Sequence, residues 1–166
     1  MQMKIRKAKE EDAKKVEKFV EKSILSSDCY SSDQKSAWIN DSARNIDEKI
    51  KRKDRTSFVV LMGGKPAGYA SQAGNYVHAL YVDIRFMRRG IGRKMLKRME
   101  RNAASAGFST MKAKASLDAV PFYEKMGYKK LGETTYETGD VKIPLILMRK
   151  RLETTTNKSK ARDKNQ

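Results

Sequence analysis

Two glycines, Gly90 and Gly92, lie close together near the middle of the chain, with Arg88, Arg89 and Arg93 around them. A run rich in β-branched and aromatic residues precedes them and apolar positions three or four apart follow, so a strand would lead through a tight turn into a helix. Backbone N–H groups at a helix start attract anions, and glycine lets a ligand approach the backbone. Because guanidinium groups suit a pyrophosphate or a 3′-phosphate, the pattern predicts a phosphate-binding turn.

The turn does not match the two commonest nucleotide-binding motifs. No Gly-Lys-Ser/Thr follows it, which excludes a Walker loop, and it lacks the third glycine and the downstream acid of the dinucleotide fingerprint. A plain tight turn is the alternative interpretation. The flanking arginines favour phosphate, because they supply more positive charge than a turn needs.

The hydrophobic pattern predicts the elements that would hold this turn in place. The predicted order is β-α-α-β-β-β-α-β-α-β-β, which indicates an α/β (α+β) sandwich with a mostly antiparallel sheet and one parallel crossover. Strands are predicted at residues 3–7, 58–62, 67–72, 76–82 and 110–115 and in a final hairpin around residues 138–140. Helices are predicted at about residues 12–26, after a cap at Ser31 or Ser32, from 91 to 106 and at 119–126, and a further helical stretch is predicted at residues 42–53.

Composition excludes several classes of protein. The chain has 166 residues, enough for one domain, here predicted at residues 1–152, and residues 153–166 are so poor in apolar side chains that we expect a disordered basic tail. Uninterrupted apolar runs are too short to span a membrane. Cys29 stands alone, which excludes an internal disulfide and a cysteine-rich zinc site, and we expect no metal. The first residues lack a secretion signal, so we expect a cytoplasmic protein.

Two segments resemble the signature motifs of the GCN5-related N-acetyltransferases, the GNAT superfamily. The first is Leu80-Tyr81-Val82 followed by the run Arg88-Arg89-Gly90-Ile91-Gly92-Arg93, and the second is Ala119-Val120-Pro121-Phe122-Tyr123-Glu124-Lys125-Met126-Gly127-Tyr128. The resemblance in element order covers residues 3–152 and implies a GNAT-like, seven-stranded, mostly antiparallel sheet flanked by about four helices. One position departs from the family pattern: Met87 stands where the family has Arg or Gln three places before the first glycine.

The resemblance implies acetyl-CoA as co-substrate. The strand ending at Val82 would splay from its neighbour and pair with the pantetheine arm, and the N–H of Leu80 would polarise the thioester carbonyl. Ser116 stands where many members have an Asn that touches the cofactor arm. The implied cofactor-binding residues are Leu80, Tyr81, Val82, Arg88, Arg89, Gly90, Ile91, Gly92, Arg93, Ser116 and Tyr123.

Tyr123 would be the general acid, because acetyl transfer from a thioester needs a proton for the leaving thiolate. A phenol with a pKa of about 10 can donate to a thiolate of pKa about 8.5 at a small cost. Packing of the short helix against the sheet is the alternative role for Tyr123. His78 is a candidate base or substrate contact, since alternation along a strand would put it on the same face as Tyr76 and Leu80; a structural role is the alternative.

The same resemblance implies that the segment between the first two helices forms one wall of the acceptor site. It contains Tyr30 and Trp38, which would shape a pocket for an amine or serve as core aromatics. A nucleophilic role for Cys29 lacks a nearby base in the sequence. We expect a small-molecule amine as acceptor, with a protein amine as the alternative. A homodimer is suggested by the family resemblance alone.

The chain carries 37 Lys and Arg against 20 Asp and Glu, for a formal net charge of +17. Such a charge suggests a polyanionic partner, and nucleic acid competes with coenzyme A for that role. Nucleic acid is the weaker hypothesis, because aromatic residues are not interleaved with the basic helix face and no helix-turn-helix or RRM signature appears. A relative that binds coenzyme A without turnover is a third hypothesis. The basic run at residues 49–55 fits a solvated helix face.

Overall fold

The computed structural model describes residues 2–153, and the tail predicted at residues 153–166 lies outside them apart from Glu153. The strands are β1 Met3–Lys7, β2 Thr56–Met62, β3 Lys65–Ala73, β4 Tyr76–Val82, β5 Thr110–Ala115, β6 Lys129–Thr138 and β7 Val141–Arg151. The helices are α1 Ala13–Leu25, α2 Ser32–Ser42, α3 Ile46–Lys51, α4 Ile91–Ser105 and α5 Val120–Lys125, with single 3₁₀ turns at Glu10–Asp12 and Ile84–Phe86.

All seven strands form one sheet in the order β1-β2-β3-β4-β5-β7-β6. Every neighbouring pair is antiparallel except β4 and β5, which are parallel and are joined through α4. The predicted mixed, mostly antiparallel seven-stranded sheet is therefore confirmed. Five helices flank it rather than about four, because Asn45 adopts a left-handed conformation with φ 55° and separates α3 from α2.

Apolar side chains cover both faces of the sheet. On one face, α4 buries Ile91, Met95 and Met99 against the sheet, and on the other α1 buries Val16 and Val20. The apolar positions of α4 recur three or four residues apart, so one stripe of the helix is buried while its basic residues remain on the outside. The sheet thus holds the start of α4 next to the end of β4.

Two of the five basic side chains at residues 49–55 form ion pairs within the fold. Lys51 forms an ion pair with Glu10 at 3.4 Å, and Arg52 pairs with Asp54 at 2.6 Å. Lys49 donates a hydrogen bond to the backbone carbonyl of residue 41. Lys51, Arg52 and Lys53 are exposed, which agrees with the predicted solvated face, although the helix itself ends at Lys51. Among residues 2–153, no helix has the length and apolar character needed to cross a bilayer.

Candidate active site

Strands β4 and β5 part soon after they begin. Their pairing consists of Tyr76 with Lys112 and Val77 with Ala113, whereas β3 stays paired with β4 as far as Val82. The backbone groups of residues 78–82 that face β5 therefore have no strand partner among the described residues. We call this opening the β4–β5 gap. Its exposed edge can accept an extended ligand as if it were a further strand.

A short loop connects the open end of β4 to α4. Asp83 is 2% exposed and begins the 3₁₀ turn at Ile84–Phe86 by accepting a hydrogen bond from the Arg85 backbone N–H at 3.0 Å. The Arg85 side chain also donates to Asp83, at 2.8 Å. Burial acts to raise the pKa of Asp83, but the bonds from Arg85 outweigh it, so the pKa lies below its ordinary value.

Residues 88–93, which we call the phosphate loop, have the backbone geometry of an anion site. Arg88 (φ 62°) and Gly90 (φ 82°) are both left-handed, and α4 begins at the next residue, Ile91. Left-handed residues in a turn direct successive N–H groups into one concavity, and the helix dipole is positive there. Within residues 2–153, Arg88, Arg89 and Arg93 form no ion pair, so their charges are available to an anion.

The two glycines of the phosphate loop serve different purposes. A Cβ on Gly90 would meet nothing within 4 Å, so its left-handed φ explains the glycine. A Cβ on Gly92 would lie 3.3 Å from the ring of Phe122 and 3.7 Å from Val82. Gly92 therefore allows α5 to approach α4 closely at the end of β4, and this approach brings the second motif beside the first.

Tyr123 lies on α5 with 4% of its surface exposed. Among the described residues its hydroxyl has no hydrogen-bond partner, and its ring contacts those of Phe122 and Tyr128 edge to face. Burial raises the pKa of Tyr123 above the ordinary value for a phenol. The phenol therefore stays protonated at neutral and mildly alkaline pH, as a proton donor must, although the higher pKa also makes it a weaker acid.

His78 does not lie on the face predicted for it. Ser71 pairs with Ala79 and Gln72 pairs with Val77, which leaves His78 as the extra residue of a β-bulge. The strict alternation along β4 is broken there, and Val77 shares the α4 face with Leu80. The expectation that His78 and Leu80 share one strand face was wrong for this reason.

The surroundings of His78 are cationic. Its ring contacts that of Tyr76, with 4.8 Å between ring centroids. Burial lowers the pKa of His78, and the nearby charges of Arg55 and Arg52 lower it further. These surroundings disfavour the protonated imidazolium.

Tyr30 joins three segments at the far side of the site. Its hydroxyl accepts a hydrogen bond from the N–H of Leu117 at 2.9 Å and donates one to the carbonyl of Pro144 at 2.7 Å. Trp38 contacts Tyr30 edge to face and donates its indole N–H to the hydroxyl of Tyr81 at 3.1 Å. Burial raises the pKa of Tyr30 to about 12. Tyr30 and Trp38 thus connect the chain before and within α2 to the ends of β4, β5 and β7.

Asp118 links two loops by hydrogen bonds: the loop between α1 and α2 and the loop between β5 and α5. Its carboxylate accepts hydrogen bonds from the Ser27 hydroxyl at 2.5 Å and the Cys29 thiol at 3.3 Å. The bond to Asp118 raises the pKa of the Cys29 thiol, which disfavours the thiolate that a nucleophile needs. Ser116 directly follows β5, and its carbonyl accepts from the Ala119 N–H at 3.0 Å in the turn that leads to α5.

A cavity of about 500 Å³ opens beside these connections. It lies against the β6–β7 hairpin and the residue two positions beyond β5, and it is lined by Leu117, Glu133, Thr134, Thr135, Pro144, Leu145 and Ile146. Leu117 and Leu145 also pack in the cluster that contains Tyr30 and Trp38. The two aromatic residues therefore support the wall of the cavity.

Sequence reasoning missed three residues that shape the site. Asp83 was passed over because a capping role depends on the fold of the loop, although an Asp directly before a turn is a recognisable cap signal. Asp118 makes its contacts across about 90 positions, and no local pattern indicates them. Gly68 lies in β3, where a Cβ would be 2.6 Å from Ile91; a glycine inside a predicted strand signals such a close approach.

Comparison with protein families gives one match that spans most of the chain. The model described as "Acetyltransferase (GNAT) domain" matches residues 8–152. The chain belongs to the GNAT acetyltransferase family. Membership indicates acyltransferase activity, and the resemblance identified from the two sequence motifs is confirmed.

Known GNAT proteins align over most of the chain. The uncharacterized N-acetyltransferase YafP of Escherichia coli strain K12 is 27% identical over 114 residues, which is 69% of this chain and 71% of YafP. A GCN5-related N-acetyltransferase from Rhodopseudomonas palustris, also designated aminotransferase class II, has a TM-score of 0.83 and 24% identity, covering 92% of this chain and 99% of that one.

Several structural neighbours were solved with coenzyme A or acetyl-CoA. The PaiA N-acetyltransferase of Thermoplasma acidophilum, in complex with coenzyme A, has a TM-score of 0.71 and 19% identity and covers 91% of this chain and 99% of its own. The GNAT fold is thus shared at low identity. Within residues 2–153 of the present chain, His, Cys, Asp and Glu side chains form no group of three that could hold a metal ion.

Proposed function

We propose that this GNAT protein transfers an acetyl group from acetyl-CoA to a primary amine by direct attack in a ternary complex. One observation carries the proposal: the unpaired edge of β4 leads straight into the left-handed phosphate loop at the start of α4. A ligand that has an amide-bearing arm and a pyrophosphate, as coenzyme A does, matches both features in that order.

The chain offers groups for each part of acetyl-CoA. The main chain at residues 80–82 would pair with the pantetheine arm, and Ser116 lies beyond the end of β5 on the other side of the gap. The N–H groups of the phosphate loop would hold the pyrophosphate, with Arg88, Arg89 and Arg93 adding charge. Met87 lacks the Arg or Gln side chain of the family pattern. Its effect on pyrophosphate binding should be smaller than that of a change in backbone geometry, because N–H groups would supply most of the contacts.

Acetyl-CoA supplies an acetyl thioester, and residues of the chain act on the reacting atoms. The amine nitrogen attacks the carbonyl carbon, and the N–H of Leu80 donates to the carbonyl oxygen as negative charge develops there. The carbon–sulfur bond then breaks, and the hydroxyl of Tyr123 donates its proton to the leaving sulfur. The nitrogen releases a proton to water, and water returns a proton to the Tyr123 phenolate, so the products are an amide and free coenzyme A.

The cavity beside β6 and β7 is the proposed acceptor pocket. Its volume of about 500 Å³ is large enough for a small amine. Glu133 has no ion pair within residues 2–153, so its carboxylate is available to a cationic amine. Tyr30 and Trp38 do not line the pocket; they support it from the protein side, where the Tyr30 hydroxyl holds Leu117 and the β7 backbone in place.

A panel of amines tests the proposal by following the free thiol of coenzyme A. The panel contains small amines, polyamines, an aminoglycoside and a lysine peptide, each with acetyl-CoA and the full chain. We expect thiol release with a small amine and a fall in kcat of about 100-fold in Tyr123→Phe, without loss of acetyl-CoA affinity. Tyr69→Phe, which removes a buried hydroxyl from the opposite face of the sheet, is the matched control.

Each outcome has a definite meaning. Release with the peptide alone would replace the small-molecule acceptor with a protein amine. A panel without any release, despite acetyl-CoA binding, would overturn the transferase proposal in favour of a binding protein. An unchanged kcat in Tyr123→Phe would remove the acid role and leave the rest of the mechanism standing.

A further inference from the structure

Tyr123 is tied to Tyr128 by the way α5 ends. Gly127 is left-handed (φ 93°), and the Tyr128 N–H donates to the Tyr123 carbonyl at 3.0 Å while the Gly127 N–H donates to the Glu124 carbonyl at 3.0 Å. This pair of bonds is a Schellman motif, in which the first residue after the glycine packs on the last full turn of the helix. The rings of Tyr123 and Tyr128 accordingly meet edge to face, with 5.3 Å between centroids.

Tyr128 is itself anchored to α4 and β7. Its hydroxyl donates to the Glu100 carboxylate at 3.1 Å, and the Lys150 ammonium donates to the same carboxylate at 2.9 and 3.2 Å. The ammonium also lies 5.8 Å from the centre of the Tyr128 ring. Glu100 is 8% exposed and is the only acidic residue of α4, where the exposed charges are basic. A buried carboxylate without a partner lowers the stability of the fold. The contacts of Glu100 with Tyr128 and Lys150 are therefore expected to persist.

Tyr123 has no comparable anchor of its own. Within the described residues its hydroxyl makes no hydrogen bond, so the direction of the phenol depends on the rings that contact it. One of these is Phe122, which faces Gly92 of the phosphate loop. The other is Tyr128, and of the two only Tyr128 has a polar group that fixes its ring.

We propose that Tyr128 and Glu100 are positioning residues, which hold Tyr123 in the orientation needed to protonate the leaving sulfur. This inference rests on the proposed acetyl transfer and on Tyr123 as its acid. Glu100 acts through Tyr128, and Tyr128 acts on Tyr123 through ring contact and the Schellman bond. Neither positioning residue touches a reacting atom. Lys150 pairs with Glu100, whose carboxylate accepts the hydrogen bond from the Tyr128 hydroxyl.

The tests are Tyr128→Phe, which keeps the ring and removes its anchor, and the pair Glu100→Leu with Lys150→Met, which replaces the ion pair with apolar groups. Steady-state kinetics with acetyl-CoA and the best amine of the panel are measured for each, together with Tm. We expect each change to lower kcat about three- to tenfold and to leave the KM for acetyl-CoA within about twofold, because misplacing an acid affects the chemical step.

A double-mutant cycle separates positioning from a general structural role. In the Tyr123→Phe background, Tyr128→Phe should change kcat by less than about twofold, because the hydroxyl that it orients is already gone. Equal losses in both backgrounds, or an unchanged kcat in Tyr128→Phe, would overturn the positioning role. Full kcat in Tyr123→Phe itself would instead show that the acid assignment fails, which is a different outcome. Tyr69→Phe should retain the kcat of the wild type.

Discussion

Ile91, the first residue of α4, lies so close to Gly68 that a Cβ added to Gly68 would be 2.6 Å from its Cγ2. Gly68 is in β3, paired with Val82 at the end of β4. The contact therefore sets the height of the helix start above the strand that leads into the phosphate loop. A glycine outside both motifs thereby controls the geometry of the site.

Gly68→Ala should weaken both the fold and the site. The added methyl must displace Ile91 or Met95, and overpacking of this kind lowers the free energy of unfolding by about 1–3 kcal/mol. Because Ile91 opens α4, the affinity for acetyl-CoA should fall several-fold at temperatures where the variant is folded. Urea denaturation and calorimetric titration measure the two effects, and unchanged affinity in a destabilised variant would contradict the link.

Gly90 and Gly64 form a matched pair for testing the phosphate loop. Both are left-handed, at φ 82° and 83°, and a Cβ on either would meet nothing within 4 Å. Alanine at either position should cost about 1–2 kcal/mol of backbone strain. We expect only Gly90→Ala to weaken acetyl-CoA binding, as measured by titration, because Gly64 lies in the β2–β3 turn. Equal effects on binding would show that the loop geometry is not used.

The Tyr30 hydroxyl should stabilise the chain and support the acceptor pocket. Tyr30→Phe leaves the N–H of Leu117 and the carbonyl of Pro144 without this partner, so we expect a loss of about 1–3 kcal/mol in the free energy of unfolding. The KM for the amine should rise, while the KM for acetyl-CoA should not. A rise in the KM for acetyl-CoA alone would place Tyr30 on the other side of the site.

Asp83 should make stability depend on pH in the acid range. Its pKa in the folded chain lies below the ordinary 3.8, so it stabilises the fold fully above that value and stops doing so as the pH falls through the folded pKa. Asp83→Asn should be less stable than the wild type near neutral pH, and the difference should shrink below about pH 4. A difference that stays constant from neutral to acid pH, measured by urea denaturation, would rule out this contribution.

Much of the fold is predictable from local pattern, as β5 illustrates. Its bounds, Thr110–Ala115, coincide with the predicted strand because alternate residues there face the core. The start of β3 was less accurate: the strand was expected from residue 67, but it begins at Lys65 and includes Pro66, next to a register shift in the pairing with β2. Bulges depend on the partner strand, and a local pattern carries no information about them.

The candidate site was predictable where it follows from motifs and not where it depends on distant contacts. Gly90 and Gly92, together with the flanking arginines, indicate a phosphate-binding turn from sequence, because their place between a strand and a helix has a direct physical use. The face of His78 was misjudged because the bulge in β4 shifts the alternation. The bonds of Tyr30 join residues 87 and 114 positions away, and only the folded chain brings them together.

Calorimetric titration of acetyl-CoA into the full chain, at low and at high salt, tests most directly whether the β4–β5 gap and the phosphate loop bind this co-substrate. A short single-stranded oligonucleotide serves as the competing ligand. We predict binding of one acetyl-CoA per chain that persists at high salt, since backbone pairing contributes, and oligonucleotide binding at low salt at most. Salt-resistant binding of the oligonucleotide together with no binding of acetyl-CoA would contradict the proposed function.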